Sequence, residues 1–268
     1  MPDLHAGVEQ ALREAAEEFV LPRFTRLETG DIHHKAGDEL VTIVDREVEE
    51  RLTQVLPGLV PGSRVIGEEA CAAHPALLES LDDGCIWLVD PIDGTRNFAE
   101  GRAPFAIMVA LLNRGEVVSS WLLDPLSGRF CTAERGSGAW VDQRRLKPLD
   151  IVPLGHSVGI VSRAFLPPEQ AGLPAVLEER VREVLPTQRC AGFEYPQVAL
   201  GEVQFALYWR TLPWDHAAGT LFLLESGGAV THLDGLPYRP AAPRPGLLLA
   251  ANSQLGGELL QLCAPGEG

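Results

Sequence analysis

The run Ile86-Trp87-Leu88-Val89-Asp90-Pro91-Ile92-Asp93-Gly94-Thr95 restricts the chain more than any other stretch. Ile86 to Val89 are apolar and read as a short buried strand, and an acidic turn follows at once. The strand therefore delivers two carboxylates to one point. Pro91 fixes a backbone angle between Asp90 and Asp93, Gly94 reaches angles that other residues avoid, and Asn97 lies near a helix start. Two carboxylates and the Ile92 carbonyl make an all-oxygen cluster suited to a hard divalent cation such as magnesium. Backbone N–H groups at Gly94 and Thr95 would then face outward, toward a phosphate bridging amides and metal. An ordinary Asx turn accounts for the same residues, since Asp-Gly is a common turn pair. The rest of the chain has to separate the two readings.

The 268 residues suffice for one large domain or two compact ones. With 37 acidic and 22 basic residues the formal charge is −15, which argues against nucleic-acid polymers and anionic membranes as partners. The five cysteines are odd in number and form no CxxC pair, a pattern that fits a reducing compartment better than a disulfide framework. Neither a signal peptide nor an apolar run of about 18 residues is found, so cytoplasmic residence is expected.

Val8, Leu12, Ala15, Ala16 and Phe19 recur at helical spacing and predict an amphipathic helix from Leu4 to Val20, ending before Pro22. A polar loop through Lys35-Ala36-Gly37-Asp38 follows, with His33 and His34 read as exposed. Leu40 to Val44 is a short extended piece that hands over to a helix starting near Asp45, with Val48, Leu52 and Val55 as its apolar stripe. Asp45 is either a first-turn acid favoured by the helix dipole or, with Lys35 and Asp38, directed toward the Asp90 centre. Val65-Ile66-Gly67-Glu68-Glu69 reads as a strand end that would bring Glu68 to the Asp90/Asp93 cluster if it lay beside the Ile86 strand. Residues 70–83 form a surface connection with a short helix near Leu77. Phe105 to Leu112, Val117 to Leu123 and Arg129 to Ala133 predict an antiparallel meander, with one more short strand near Trp140.

The order changes after Lys147-Pro148-Leu149. Strands are expected at Ser157 to Val161, about Gln188 to Ala191, Phe205 to Trp209 and Leu247 to Ala250, and helices at Pro174 to Val184 and Tyr195 to Leu200. Asn252 would cap a final helix. This alternation predicts a second α/β unit. Within Trp214-Asp215-His216-Ala217-Ala218-Gly219, the simplest role for Asp215 is a helix N-cap, a position that also suits a metal ligand. The small residues after it permit close helix packing. His216 reads as structural or surface rather than as a ligand, since its neighbours are hard oxygens.

Gly67-Glu68-Glu69, Asp90-Pro91-Ile92-Asp93-Gly94-Thr95 and Trp214-Asp215-His216-Ala217-Ala218-Gly219 together resemble the inositol monophosphatase family of magnesium-dependent, lithium-sensitive phosphatases. The resemblance covers nearly the whole chain. It implies a layered α/β/α/β/α sandwich of the sugar-phosphatase type. Residues 1–146 would carry the antiparallel sheet and most metal ligands, and residues 147–268 would contribute Asp215 and substrate contacts. It further implies a phosphomonoesterase that hydrolyses a small phosphorylated alcohol or sugar by metal-activated water, with two or three magnesium ions at each site. Glu68, Asp90, the Ile92 carbonyl, Asp93 and Asp215 match the ligands. Glu68, Thr95 and Asp93 match the catalytic groups, with Asp93, Gly94 and Thr95 holding the phosphate. Lys35, Asp45 and Glu69 match accessory positions. Family members are commonly homodimers, which is the expectation here.

The likeness to inositol-specific members weakens at the substrate wall. Cys190-Ala191-Gly192 stands where those proteins have Gly-Ser/Thr-Ala, and Tyr208 falls at or near their sugar-binding glutamate. Glu194, Tyr208, Arg210 and Asp215 are the candidate substrate contacts, and either Tyr208 or Trp209 should point into the core. Histidinol phosphate, fructose 1,6-bisphosphate and 3'(2'),5'-bisphosphate nucleotides stay open as substrates, as does a noncatalytic magnesium-binding regulatory protein.

Overall fold

A computed structural model describes residues 2–35 and 39–263. The first helix, α1 (Pro2–Ala15), buries Val8, Leu12 and Ala15 as its spacing requires. It continues through Ala16–Val20 in a widened turn, the Leu21 N–H reaching back to the Ala16 carbonyl at 2.9 Å. A two-stranded hairpin, β1 (Ile32–His34) and β2 (Leu40–Thr42), carries His33 and His34 exposed and leads into α2 (Ile43–Leu59). Thr42 caps α2, and Asp45 closes a reciprocal capping box with it. Asp45 is thus a first-turn acid, as one reading of the sequence had it.

Next come β3 (Arg64–Gly67), α3 (Glu68–Ala73), β4 (Cys85–Asp93) and the short α4 (Thr95–Ala99). The meander follows as β5 (Ala106–Asn113), β6 (Glu116–Leu123), β7 (Phe130–Glu134), β8 (Gly138–Val141) and β9 (Arg144–Arg145). These strands form one seven-stranded sheet in the order β3 to β9, with only the β3/β4 pair parallel. After residue 147 come β10 (Val158–Val161), α5 (Leu173–Arg180), β11 (Glu183–Pro186), α6 (Ala191–Ala199) and β12 (Phe205–Tyr208). The described residues end with α7 (Pro213–Glu225), β13 (Ala229–His232), β14 (Leu247–Ala250) and α8 (Ser253–Cys263). Their sheet has the order β11-β10-β12-β14-β13.

Alternation along the strands builds the layers. Trp87, Val89, Val109, Leu111 and Trp121 face α1 and α2, whereas Ile86, Leu88, Met108, Ala110 and Leu112 face α6 and α7. In the smaller sheet Ala206, Leu247 and Leu249 share that inner core, and Phe205, Leu207, Leu248 and Ala250 face α5 and α8. The result is the expected α/β/α/β/α sandwich, with α6 and α7 as its middle layer. Full burial of each aliphatic side chain in these layers is worth about 1.5–3 kcal/mol. Gly219 on α7 permits the tightest approach there, because a Cβ at this position would lie 2.2 Å from the Tyr195 ring of α6.

Several local expectations give way to tertiary pairing. The helix predicted to run to Val184 stops at Arg180, and Glu183–Pro186 instead pairs in parallel with β10. Leu177, Val181 and Val184 fit helical spacing, but Val184 gains a full ladder in the sheet. The strand expected near Gln188 to Ala191 is a loop, and Cys190 is the N-cap of a helix that begins four residues before Tyr195. The helix α3 and the edge strand β13 lacked a periodic signal long enough to be read.

Candidate active site

The acidic turn owes its geometry to a bulge. Asp90 pairs with Met108 and Asp93 with Ala106, so three steps on β4 match two on β5. Pro91 has no N–H to give the ladder, and the extra residue changes which face the following side chains take. Val89 and Ile92 therefore both enter the core beneath α1 and α2. Asp90 and Asp93 both line a cavity of about 550 Å³ on the opposite face.

Parallel pairing of β3 with β4 sets Gly67 opposite Val89, which brings Glu68 beside Asp90. Asp215 arrives from the second sheet's side, in the first turn of α7. It is not the N-cap; Leu212 holds that position and Pro213 opens the helix. Carboxylate oxygens of Glu68, Asp90 and Asp215 lie within 4.8 Å of one another. Burial first, and then mutual repulsion, hold Asp90 and Asp215 well above the usual carboxylate range. Glu68 is raised as well, by burial that outweighs the nearby Lys35. Like charges this close are stable when protonated or when a cation lies between them. Asp90 Oδ1 is buried with no hydrogen-bond partner among the described residues. A hard divalent cation fits this donor set.

Asp93 stands beside the three, its Oδ2 accepting the Gly192 N–H at 2.5 Å, and burial pushes it up to about 7. The Thr95 hydroxyl lies 2.8 Å from the Ile92 carbonyl and 3.1 Å from Asp45 Oδ1. Asp45 is wholly buried, and its other oxygen accepts from the Thr42 N–H and hydroxyl. It caps α2 with one oxygen and meets the Thr95 hydroxyl, at the end of the acidic turn, with the other. Lys35 Nζ bridges Glu68 at 2.8 Å and Glu69 at 2.5 Å. Burial works against the Lys35 charge, but these carboxylates more than offset it and raise its pKa. Asp38 lies outside the described residues.

Glu49 escaped the sequence reading. Its carboxylate accepts the Glu69 and Ala70 N–H groups, both at 2.8 Å, and so fixes the start of α3 where Glu68 sits. Asp45 and Glu49 lie one helical turn apart on α2, a spacing that would have paired them.

Of the expected substrate contacts, Tyr208, Arg210 and Asp215 line the cavity and Glu194 does not. Glu194 is fully buried and does not line the cavity. Its Oε1 accepts from the Thr187 hydroxyl at 2.7 Å and the Gln188 N–H at 2.5 Å, and its Oε2 accepts from the Tyr208 hydroxyl. Tyr208 and Trp209 are both buried yet both line the cavity, from opposite faces of the smaller sheet. Trp209 Nε1 donates to the Ser162 carbonyl at 2.7 Å. Arg210 lines the cavity, pairs with Glu39 and lies 4.2 Å from the Phe165 ring centre. His216 is structural: Nε2 donates to the Arg210 carbonyl at 3.1 Å, so Nδ1 accepts from the Tyr195 hydroxyl. Arg96 and Arg189, which were not among the expected substrate contacts, also line this cavity.

No helix among the described residues is long and apolar enough to cross a membrane. All five cysteines are free.

The sequence matches the inositol monophosphatase family over residues 3–264. It is 30% identical to an inositol-1-monophosphatase of Bacillus subtilis over 203 residues, 75% of each chain. It is likewise 30% identical to a fructose-1,6-bisphosphatase/inositol-1-monophosphatase of Thermotoga maritima over 206 residues, 76% of each. The fold superposes on the extragenic suppressor protein suhB of Bartonella henselae with a TM-score of 0.84 at 24% identity, covering 98% of this chain and 99% of that one. With the family's three acidic motifs converging on one cavity and a match spanning nearly its full length, the chain belongs to the inositol monophosphatase family.

Proposed function

We propose that the chain is a magnesium-dependent phosphomonoesterase acting on a small phosphorylated alcohol or sugar, with inositol 1-phosphate as the reference substrate. The observation that carries this reading is the convergence of Glu68, Asp90 and Asp215 to within 4.8 Å, with one buried Asp90 oxygen unpartnered among the described residues. Glu68, Asp90, Asp215, Asp93 and the Ile92 carbonyl would hold the cations. Magnesium, when bound, supplies charge neutralisation for the phosphate dianion and acidifies the attacking water.

The chain's own groups do the rest. Thr95, placed between Asp45 and the Ile92 carbonyl, accepts a hydrogen bond from the attacking water and passes a proton inward. Glu68 orients the same water from the neighbouring strand. Asp93, anchored by the Gly192 N–H, keeps the turn at Gly94 in place so that the Gly94 and Thr95 amides meet the phosphate. Lys35 ties Glu68 to Glu69 and limits their movement. Residues 1–146 thus supply most of the machinery, and residues 147–268 complete it with Asp215.

Phosphate release tests the reading, measured with magnesium and with chelator. The panel is inositol 1-phosphate, histidinol phosphate, fructose 1,6-bisphosphate, adenosine 3',5'-bisphosphate and glycerol 2-phosphate. Magnesium-dependent turnover of at least one is expected. Absence of turnover from the whole panel would favour a noncatalytic magnesium-binding protein.

A further inference from the structure

We infer that the alcohol released at this site carries an aromatic ring, which packs on the open face of Phe165 at the mouth of the cavity. This rests on the phosphomonoesterase reading and narrows its substrate class. Phe165 is 63% exposed, although it lines the same cavity as Glu68, Asp90 and Asp215. A single exposed phenylalanine is ordinary on a protein surface. This one is held in place. Arg210 lays its guanidinium over one face of the ring, 4.2 Å from the ring centre. Arg210 is itself oriented by an ion pair with Glu39 and by His216 Nε2, which donates to its carbonyl at 3.1 Å. The backbone on either side of Phe165 is also tied down: the Ser162 N–H donates to the Leu207 carbonyl at 3.0 Å, and Leu166 packs into the core shared with α5 and α8. Between these anchors Phe165 takes a φ of 60°, a left-handed value that disfavours a bulky side chain.

The surrounding wall suits a ring better than a polyol. Leu40, Ala164, Trp209 and Leu212 add apolar surface to the lining. Three of the polar side chains that residues 147–268 bring there are engaged within the protein. The Tyr208 hydroxyl donates to Glu194, Trp209 Nε1 donates to the Ser162 carbonyl at 2.7 Å, and Arg210 pairs with Glu39. Among the described residues, Asp215 is the only carboxylate from residues 147–268 in the lining, and it belongs to the acidic cluster. The hydroxyls of a polyol would find few acceptors on this side, which costs affinity. An aromatic ring needs none. The guanidinium behind Phe165 draws on the electron-rich face of its ring and leaves the opposite face electron-poor, which favours offset stacking by a second, electron-rich ring. A cavity of about 550 Å³ has room for such a group beside a phosphate.

The test compares 2-phenylethyl, 2-cyclohexylethyl and ethyl phosphate in the presence of magnesium, with inositol 1-phosphate as the polyol. In the wild type, kcat/KM for the phenyl ester should exceed that for the ethyl ester by about thirtyfold or more, chiefly through KM. It should exceed that for the cyclohexyl ester by about three- to tenfold, the part that stacking adds to apolar burial, and that for inositol 1-phosphate as well. In Phe165→Gly, which suits the positive φ, the phenyl-to-cyclohexyl ratio should fall to about one, whereas Phe165→Trp should keep it. Calorimetric titration with benzylphosphonate and cyclohexylmethylphosphonate, which are not hydrolysed, separates recognition from turnover. Turnover without an aromatic preference, or with a preference that Phe165→Gly leaves unchanged, overturns this inference and leaves the phosphatase reading intact. Faster turnover of inositol 1-phosphate than of the phenyl ester does the same. Tighter binding of benzylphosphonate that Phe165→Gly abolishes, without turnover of any ester, supports the inference and counts against the phosphatase. Neither turnover nor preferential binding overturns both.

Discussion

The carboxylate of Glu49 occupies the space that a side chain at residue 67 would need: a Cβ on Gly67 would stand 2.1 Å from its Cδ. This contact couples α2 to the acidic centre. From that place Glu49 caps the start of α3 and sets the backbone that presents Glu68. Gly67→Ala should expel Glu49, strand two N–H groups and cost about 3 kcal/mol. Magnesium affinity should fall by about tenfold or more because Glu68 loses its anchor. Thermal melting and a metal titration check both outcomes. Gly30→Ala, where nothing lies within 4 Å, serves as the control and should leave both nearly unchanged.

Thr95 offers the cleanest separation of chemistry from metal binding. Its hydroxyl touches the Ile92 carbonyl and Asp45, while the cluster of Glu68, Asp90 and Asp215 is built without it. Thr95→Ala should lower kcat by about a hundredfold or more while magnesium affinity changes little, and Thr95→Ser should recover most of the rate. Asp93→Asn should also abolish metal-dependent phosphate release in a folded protein. Full activity in Asp93→Asn would remove that residue from the mechanism.

The metal-free protein should lose stability as pH rises. Burial holds Asp45, Glu49 and Asp93 at about 7 each, whereas their unfolded values lie near about 4. The folded state binds these protons more tightly, so their contribution is present below about pH 4 and lost as pH rises through about 7. His216 acts in the opposite sense. Burial lowers it to about 4, so it withdraws stability as pH falls from about 6.5 toward that value. Three carboxylates outweigh one imidazole. In chelator, the melting temperature should drop by on the order of 10 °C between about pH 5 and pH 8, and magnesium should reverse the drop. A chelated protein that melts higher at the alkaline end would contradict this account.

Tyr208→Phe tests the wall beneath the cavity. It removes one of three donors to the buried Glu194 carboxylate and should cost about 1–3 kcal/mol in denaturant unfolding. Glu194→Gln in the same background should recover part of the loss, since the neutral amide needs fewer donors. Additive losses would mean that the two side chains act independently.

The sequence alone determined what is local. Apolar runs bounded by turn residues placed β4 to β7, the stripe of Val48, Leu52 and Val55 placed α2, and the small residues after Asp215 announced a close-packed α7, whose partner proved to be α6. Asn252 was legible as the cap of α8, its Oδ1 accepting the Leu255 N–H at 2.9 Å. Asp90 and Asp93 were legible as a pair for the same reason, being joined by one proline-bearing turn. Tertiary structure decided what joins them. Parallel pairing of β3 with β4 brought Glu68 in, the bulge at Pro91 turned Asp90 and Asp93 to one face, and the packing of α7 supplied Asp215. Glu194 reads identically in sequence whether it faces substrate or interior. Its burial follows from α6 lying between the two sheets, where the Thr187–Gln188 loop and Tyr208 close over its carboxylate. Spacing along a chain constrains neighbours within a turn or a strand, whereas contacts between distant segments depend on which faces bury together.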